Sequence, residues 1–152
     1  REAVQKFGGL DIVINLTRTM EPAAETDPAA IEELVADTLA MPVLATRVAI
    51  NRMRTMLSPC VVLNIVTSPR APTPAGALLA QLTRHALASF TRNEAQDAAG
   101  DAIRISAIVP ATIDQGGLPA LSSTADVATL AMHLASGRGT QLSGLVFEAW
   151  CG

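Results

Sequence analysis

The chain has 152 residues, of which 49% are hydrophobic and only 16% charged, with a formal net charge of -3. That length suits one domain with a proper core, and the composition excludes a disordered chain. The weakly negative balance and scattered basic residues give no electrostatic footprint for nucleic acid or an anionic membrane, and no apolar run is long enough to span a bilayer.

Residues 1–7 (REAVQKF) lack a signal-peptide pattern and read as the last turns of a helix, ended by Gly8 and Gly9. Residues 10–16 (LDIVINL) form a continuous apolar, β-branched run, as in a parallel strand covered on both faces. Asp27 and Pro28 supply an N-cap and a proline at the first helical position, and Glu32 and Glu33 lie in the early turns, where the helix dipole favours acids. Ile31, Leu34, Val35 and Leu39 recur at helical spacing, and Leu44, Val48 and Met53 continue the stripe. Pro42 predicts a kink or short break in this long helix, and Ser58-Pro59 its end. Arg47, Arg52 and Arg54 read as a solvated face.

Residues 60–66 (CVVLNIV) predict a second buried strand, followed by a proline-rich loop over 67–76. A second long helix is expected over 77–99, with Leu78, Leu82, Ala86, Phe90 and Ala95 along a small-residue face and Gly100 as its left-handed stop. Residues 103–109 (IRISAIV) make a third strand, broken by Pro110. A Gly/Ser/Thr-rich loop over 112–124, a short helix over 125–135, a turn at 137–139 and a last strand over 144–149 complete the chain. Strand and helix alternate three times, the signature of βαβ units with a parallel sheet, so residues 1–152 read as one α/β layered domain.

Cys60 and Cys151 have no metal or redox spacing and read as buried or semi-buried thiols of a cytoplasmic protein. His85 and His133 read as solvated or packed histidines, and no metal site is expected.

Five segments, in order, carry a resemblance to a known family: LDIVIN (10–15), VLNIVTS (62–68), RHALASFTRNEA (84–95), IRISAIVPATI (103–113) and LSGLVFEAWCG (142–152). They are similar to landmarks of the short-chain dehydrogenases/reductases. In turn these are strand four, strand five leading to the catalytic serine, the helix after the catalytic lysine, the strand and Pro-Gly turn that meet the nicotinamide, and the closing Thr-Gly…Asp-Gly-Gly. The resemblance implies a Rossmann-like three-layer sandwich, a parallel sheet flanked by helices. The family's glycine-rich first βαβ unit has no counterpart in these residues.

Carried over position by position, the resemblance puts Arg84 at the catalytic lysine, Ala80 at the tyrosine and Thr67 at the serine, with Ser68 the alternative one residue on. Thr38 maps to the structural asparagine of the preceding helix. The chain contains no tyrosine at all, so the family's general acid/base is missing. Arg84 keeps a positive charge suited to binding an anion bidentately. Of the cofactor positions, Asn15 keeps the first residue of the Asn-Asn-Ala-Gly turn, followed by Leu16, Thr17 and Arg18. Pro110 and Ala111 stand at the Pro-Gly turn, with Ile113 in the same segment and Gln115 at the usual threonine.

The resemblance with these departures implies a divergent, non-catalytic domain acting as a scaffold or as a regulatory or oligomerisation subunit, without a cofactor, or with NAD(P) if any. The alternative is an oxidoreductase using NAD(P) with an atypical proton donor, such as His85 or a partner chain. An enzyme resembling the halohydrin dehalogenases, which carry arginine at the lysine position, belongs to the same class. A third reading is a ligand-binding module without turnover, with the 112–124 loop in the lid position. A homo- or hetero-oligomer through the two long helices is implied, and an N-terminal segment or partner chain covering the apolar edge of the 10–16 strand is expected.

Overall fold

The computed structural model describes residues 9–22, 27–56, 59–67, 73–109, 124–139 and 141–148. Four strands alternate with helices: β1 (Ile12–Arg18), α1 (Pro28–Met53), β2 (Cys60–Thr67), α2 (Pro74–Asp97), β3 (Ile103–Ile108), α3 (Thr124–Ala135), a 3-10 turn (Gly137–Gly139) and β4 (Val146–Phe147). The sheet is parallel throughout, in the order β1-β2-β3-β4. Each βαβ crossover therefore joins neighbouring strands, as the alternating sequence pattern predicts.

Alternation along the strands sorts the core into two layers. Val62 and Ile105 face α1 and α2, where they meet Ala49, Ile50, Met53, Ala95 and Ala98; nearer the C-terminal ends of the strands, Val66, Ala107 and Val109 meet Leu87, Leu39 and Val43. Val61, Leu63, Ile65 and Ile108 face the other way, onto Ala131 and Leu134 of α3. The result is the expected three-layer α/β sandwich.

Several local expectations are corrected. β1 runs two residues beyond the expected 10–16 span, because Thr17 and Arg18 keep their rungs with Val66 and Thr67. Among the described residues it is covered on one face: Val13 packs against the α1 side, while Ile12, Ile14 and Leu16 stand in solvent, Leu16 at 68% exposure. α1 is uninterrupted by Pro42. Asp27 is its N-cap by position, without a side-chain cap bond, and no acid lies in its first turn. The long helix after β2 starts earlier than expected, with Thr73 as N-cap and Pro74 at the first position, so the supposed proline-rich loop is partly helix. It ends at Asp97 with Ala98 as C-cap, and Gly100 is not left-handed; among the described glycines only Gly144 has a positive φ, 73°.

The apolar stripes expected on the two long helices divide between buried and exposed positions. The buried face of α2 is Gly76, Leu79, Ala80, Thr83, Leu87, Ala88, Thr91 and Ala95, whereas Leu78 and Leu82 are exposed. On α1, Ile31, Leu44 and Val48 are exposed, while Thr46, Ala49, Ile50 and Met53 are buried. At the surface Arg47 of α1 pairs with Glu94 of α2 at 3.0 Å and lies over the Phe90 ring, while Arg54, the C-cap of α1, pairs with Asp101 in the turn after α2 at 2.7 Å. Cys60 is buried, its Sγ 3.5 Å from the Leu10 carbonyl oxygen. Cys151 and the expected helix at 1–7 lie outside the described residues, as does most of the 112–124 loop.

Candidate active site

In an open parallel sheet, ligands are taken at the carboxyl ends of the strands. Thr67 ends β2 there, opposite Arg18 at the end of β1. Its hydroxyl donates to the Thr17 carbonyl at 3.4 Å, so it is turned onto the neighbouring strand. Thr38, on α1, turns its hydroxyl back on its own helix, donating to the Leu34 carbonyl at 2.6 Å. Four residues on, Pro42 has no N–H to give to the Thr38 carbonyl.

Ala80 lies on the sheet-facing stripe of α2 at 1% exposure, a methyl group packed into a wall with nothing to titrate. Arg84, one turn further along the same helix, is half-buried. Burial holds its guanidinium below the usual arginine value, partly offset by the charge of Glu148 just beyond β4. His85 is exposed, with Nδ1 2.8 Å from the Gln81 carbonyl oxygen, and His133 is exposed on α3. Among the described residues no group of three His, Cys, Asp or Glu side chains forms a metal site, and no helix is long and apolar enough to cross a membrane.

Asn15 and Thr38 do come together. They line one groove of about 460 Å³ between β1 and α1, shared with Thr17, Arg18, Met20 and Asp37. Thr67 lies one strand away, and Ala80 and Arg84 do not line the groove. Pro110, Ala111, Ile113 and Ser68 fall outside the described residues. A larger cleft of about 870 Å³ opens at the opposite, amino end of the strands, beside Asp11, Arg92 and Arg104, away from the expected chemistry.

Asn15 is committed to the protein itself. Its Nδ2 donates to Thr46 Oγ1 and to Asn64 Oδ1, both at 3.0 Å. Thr46 Oγ1 donates to the same Asn64 oxygen at 3.0 Å, and Asn64 Nδ2 donates to Thr91 Oγ1 at 3.1 Å. Thr46, Asn64 and Thr91 are completely buried. This network joins β1, α1, β2 and α2 directly beneath the groove. Sequence reasoning missed it, although one asparagine inside the apolar run CVVLNIV was a visible signal: a buried amide there demands partners.

Where the family has the bare Ala-Gly of its turn, Thr17 and Arg18 continue the strand as its last two rungs, and both residues line the groove. Asn15, the one residue kept, spends its amide on Thr46 and Asn64.

The family model described as enoyl-(acyl carrier protein) reductase matches residues 1–141. No curated protein matches the chain. Among solved structures, an acetoin dehydrogenase from Salmonella typhimurium superposes with a TM-score of 0.74 at 16% identity, over 97% of this chain and 66% of that one. A 3-ketoacyl-(acyl-carrier-protein) reductase from Brucella melitensis complexed with NADH gives 0.75 at 22% identity, over 97% and 69%. A dehydrogenase/reductase from Sinorhizobium meliloti gives 0.73 at 24% identity, over 97% and 65%. The chain thus spans about two thirds of the length of these structures, and at such identities the likeness carries the fold. The family match over most of its length and the parallel sandwich agree: the chain belongs to the short-chain dehydrogenase/reductase family.

Proposed function

We propose that this chain is a divergent, non-catalytic short-chain dehydrogenase/reductase domain that acts as a scaffold or as a regulatory and oligomerisation subunit. The observation that carries this reading is Ala80. At 1% exposure on the sheet-facing stripe of α2, it is a packed methyl group at the position that the family spacing assigns to the proton donor. The hydroxyls of Thr67 and Thr38 are engaged by backbone carbonyls, which supports the same conclusion. Thr17 and Arg18, which continue β1 where the family turns through Ala-Gly, argue against a bound dinucleotide.

The assembly role rests on surface chemistry. Met41, Leu44 and Val48 stand at i, i+3 and i+7 on the outward face of α1, and Leu78 and Leu82 at i and i+4 on α2, all more than half exposed. An apolar row of this length on two neighbouring helices suits packing against a second subunit. The solvent-facing Ile12, Ile14 and Leu16 suit cover by another segment of the polypeptide or by a partner chain.

Thermal denaturation with and without millimolar NADH or NADPH tests the cofactor-free reading. No shift in midpoint is expected, whereas a rise that saturates with NADH or NADPH contradicts it.

A further inference from the structure

Residues 19–22 leave β1 and cross the end of β2 toward the start of α2, anchored at both ends. Thr19, 1% exposed, donates its N–H to the Thr67 carbonyl at 2.9 Å and its hydroxyl to the same oxygen at 3.3 Å. Two residues on, Glu21 Oε2 accepts from Thr73 Oγ1 at 2.6 Å and from the Thr73 N–H at 3.3 Å, in solvent. Thr73 Oγ1 in turn accepts the Gly76 N–H at 3.1 Å as the N-cap of α2. A carboxylate at a helix N-terminus is favoured by the exposed N–H groups there. Between the two anchors, Met20 lines the groove that holds Asn15 and Thr38.

Gly76 makes this seat specific. A Cβ built on Gly76 would fall inside the Glu21 carboxylate, meeting both oxygens and the carboxyl carbon. The first turn of α2 thus accepts Glu21 only because position 76 carries no side chain, and its φ is not positive, so the glycine serves close approach and not backbone conformation.

We infer that residues 19–22 form a strap along the groove and that Glu21 is its releasable latch. The Thr19 end is a buried continuation of the β1–β2 ladder and stays fixed. The Glu21 end is held by exposed hydrogen bonds that water can replace. Release swings Met20 away from the groove and opens the approach to Thr38 and Asn15. The inference holds whether or not the domain performs chemistry.

A cycle of Glu21→Ala and Gly76→Ala on the full chain tests it, read by thermal midpoint and by hydrogen exchange of the Thr73 N–H that Glu21 holds (strap exchange). Alanine is the better helix former, so a helix position with room to spare gains stability from Gly→Ala. The latch predicts the reverse with Glu21 present: Gly76→Ala lowers the midpoint and speeds strap exchange by about tenfold. In the Glu21→Ala background the same substitution raises the midpoint and leaves strap exchange unchanged. Stabilisation in both backgrounds, or unchanged strap exchange in Gly76→Ala alone, overturns the latch. For the groove, Thr38→Cys is labelled with a neutral thiol reagent and the product located by peptide mass. Labelling several-fold faster when Glu21→Ala is added supports gating; an equal rate overturns it.

Discussion

Asn15 and Asn64 face each other across the β1–β2 ladder, and the Asn15 amide donates to the Asn64 side-chain oxygen at 3.0 Å. Through Asn64 the same pair reaches Thr46 of α1 and Thr91 of α2, so a single buried amide ties four elements together beneath the groove. Asn64→Ala deletes three of these bonds and leaves buried polar partners behind. The expected cost is about 3 kcal/mol, a fall of roughly 6–12 °C in Tm for a chain of this size. A fall under about 2 °C would show that these bonds are satisfied in some other way.

Arg104 on β3 holds the far end of α3, donating to the carbonyls of Leu134, Ser136 and Gly139. Burial holds its guanidinium below the usual arginine value. Arg104→Met keeps the stem and loses the donors, at an expected cost of about 2–3 kcal/mol in urea denaturation. Arg104→Lys recovers less than half, because an ammonium does not reproduce the planar fork.

The Arg54–Asp101 pair is largely open to water and contributes little. Asp101→Asn costs about 0.5 kcal/mol at low salt and less as salt is raised. The hydrogen bond that Arg54 donates to the Asp101 carboxylate raises the Arg54 pKa above its ordinary value. A cation with a raised folded-state pKa contributes fully below its unfolded value and is lost as pH rises through the folded one. Arg54's contribution is therefore constant through neutral pH and disappears only in strong alkali, which denaturation midpoints at several pH values check.

Self-association through α1 and α2 is tested by Leu44→Glu combined with Leu82→Glu, both exposed positions. Sedimentation is expected to show an oligomer for the parent chain and a monomer for the variant, with Tm changed little apart from the loss of assembly. A variant that stays assembled would place the interface elsewhere.

The strands and their order were legible because three apolar runs, separated by long helical stretches, admit few topologies. The helix faces were not. Leu78, Leu82 and Ala95 read as one face, yet Leu78 and Leu82 are exposed and Ala95 is buried, while Thr83 and Thr91 are buried too. A polar residue enters a core face when a partner such as Asn64 waits there, and that partner comes from another element. Pro42 predicted a kink or a short break, and there is no break: the helix runs through it, because packing along α1 outweighs one missing hydrogen bond. Thr67, Ala80, Arg84 and Thr38 were placed by family spacing; only geometry revealed that the two threonine hydroxyls bond to backbone. Nothing in the local sequence links Glu21 to Gly76, which meet only after the chain has crossed from β1 to α2.

Hydride transfer is the most direct test of the central claim, that the fold persists without the family's proton relay. The chain is incubated with NADPH and then NADH, together with a panel of ketone, aldehyde and ketoacyl substrates, and loss of the reduced nicotinamide is followed spectrophotometrically. The account predicts oxidation no faster than in buffer for every substrate. Saturable, protein-dependent oxidation with any of them would contradict it.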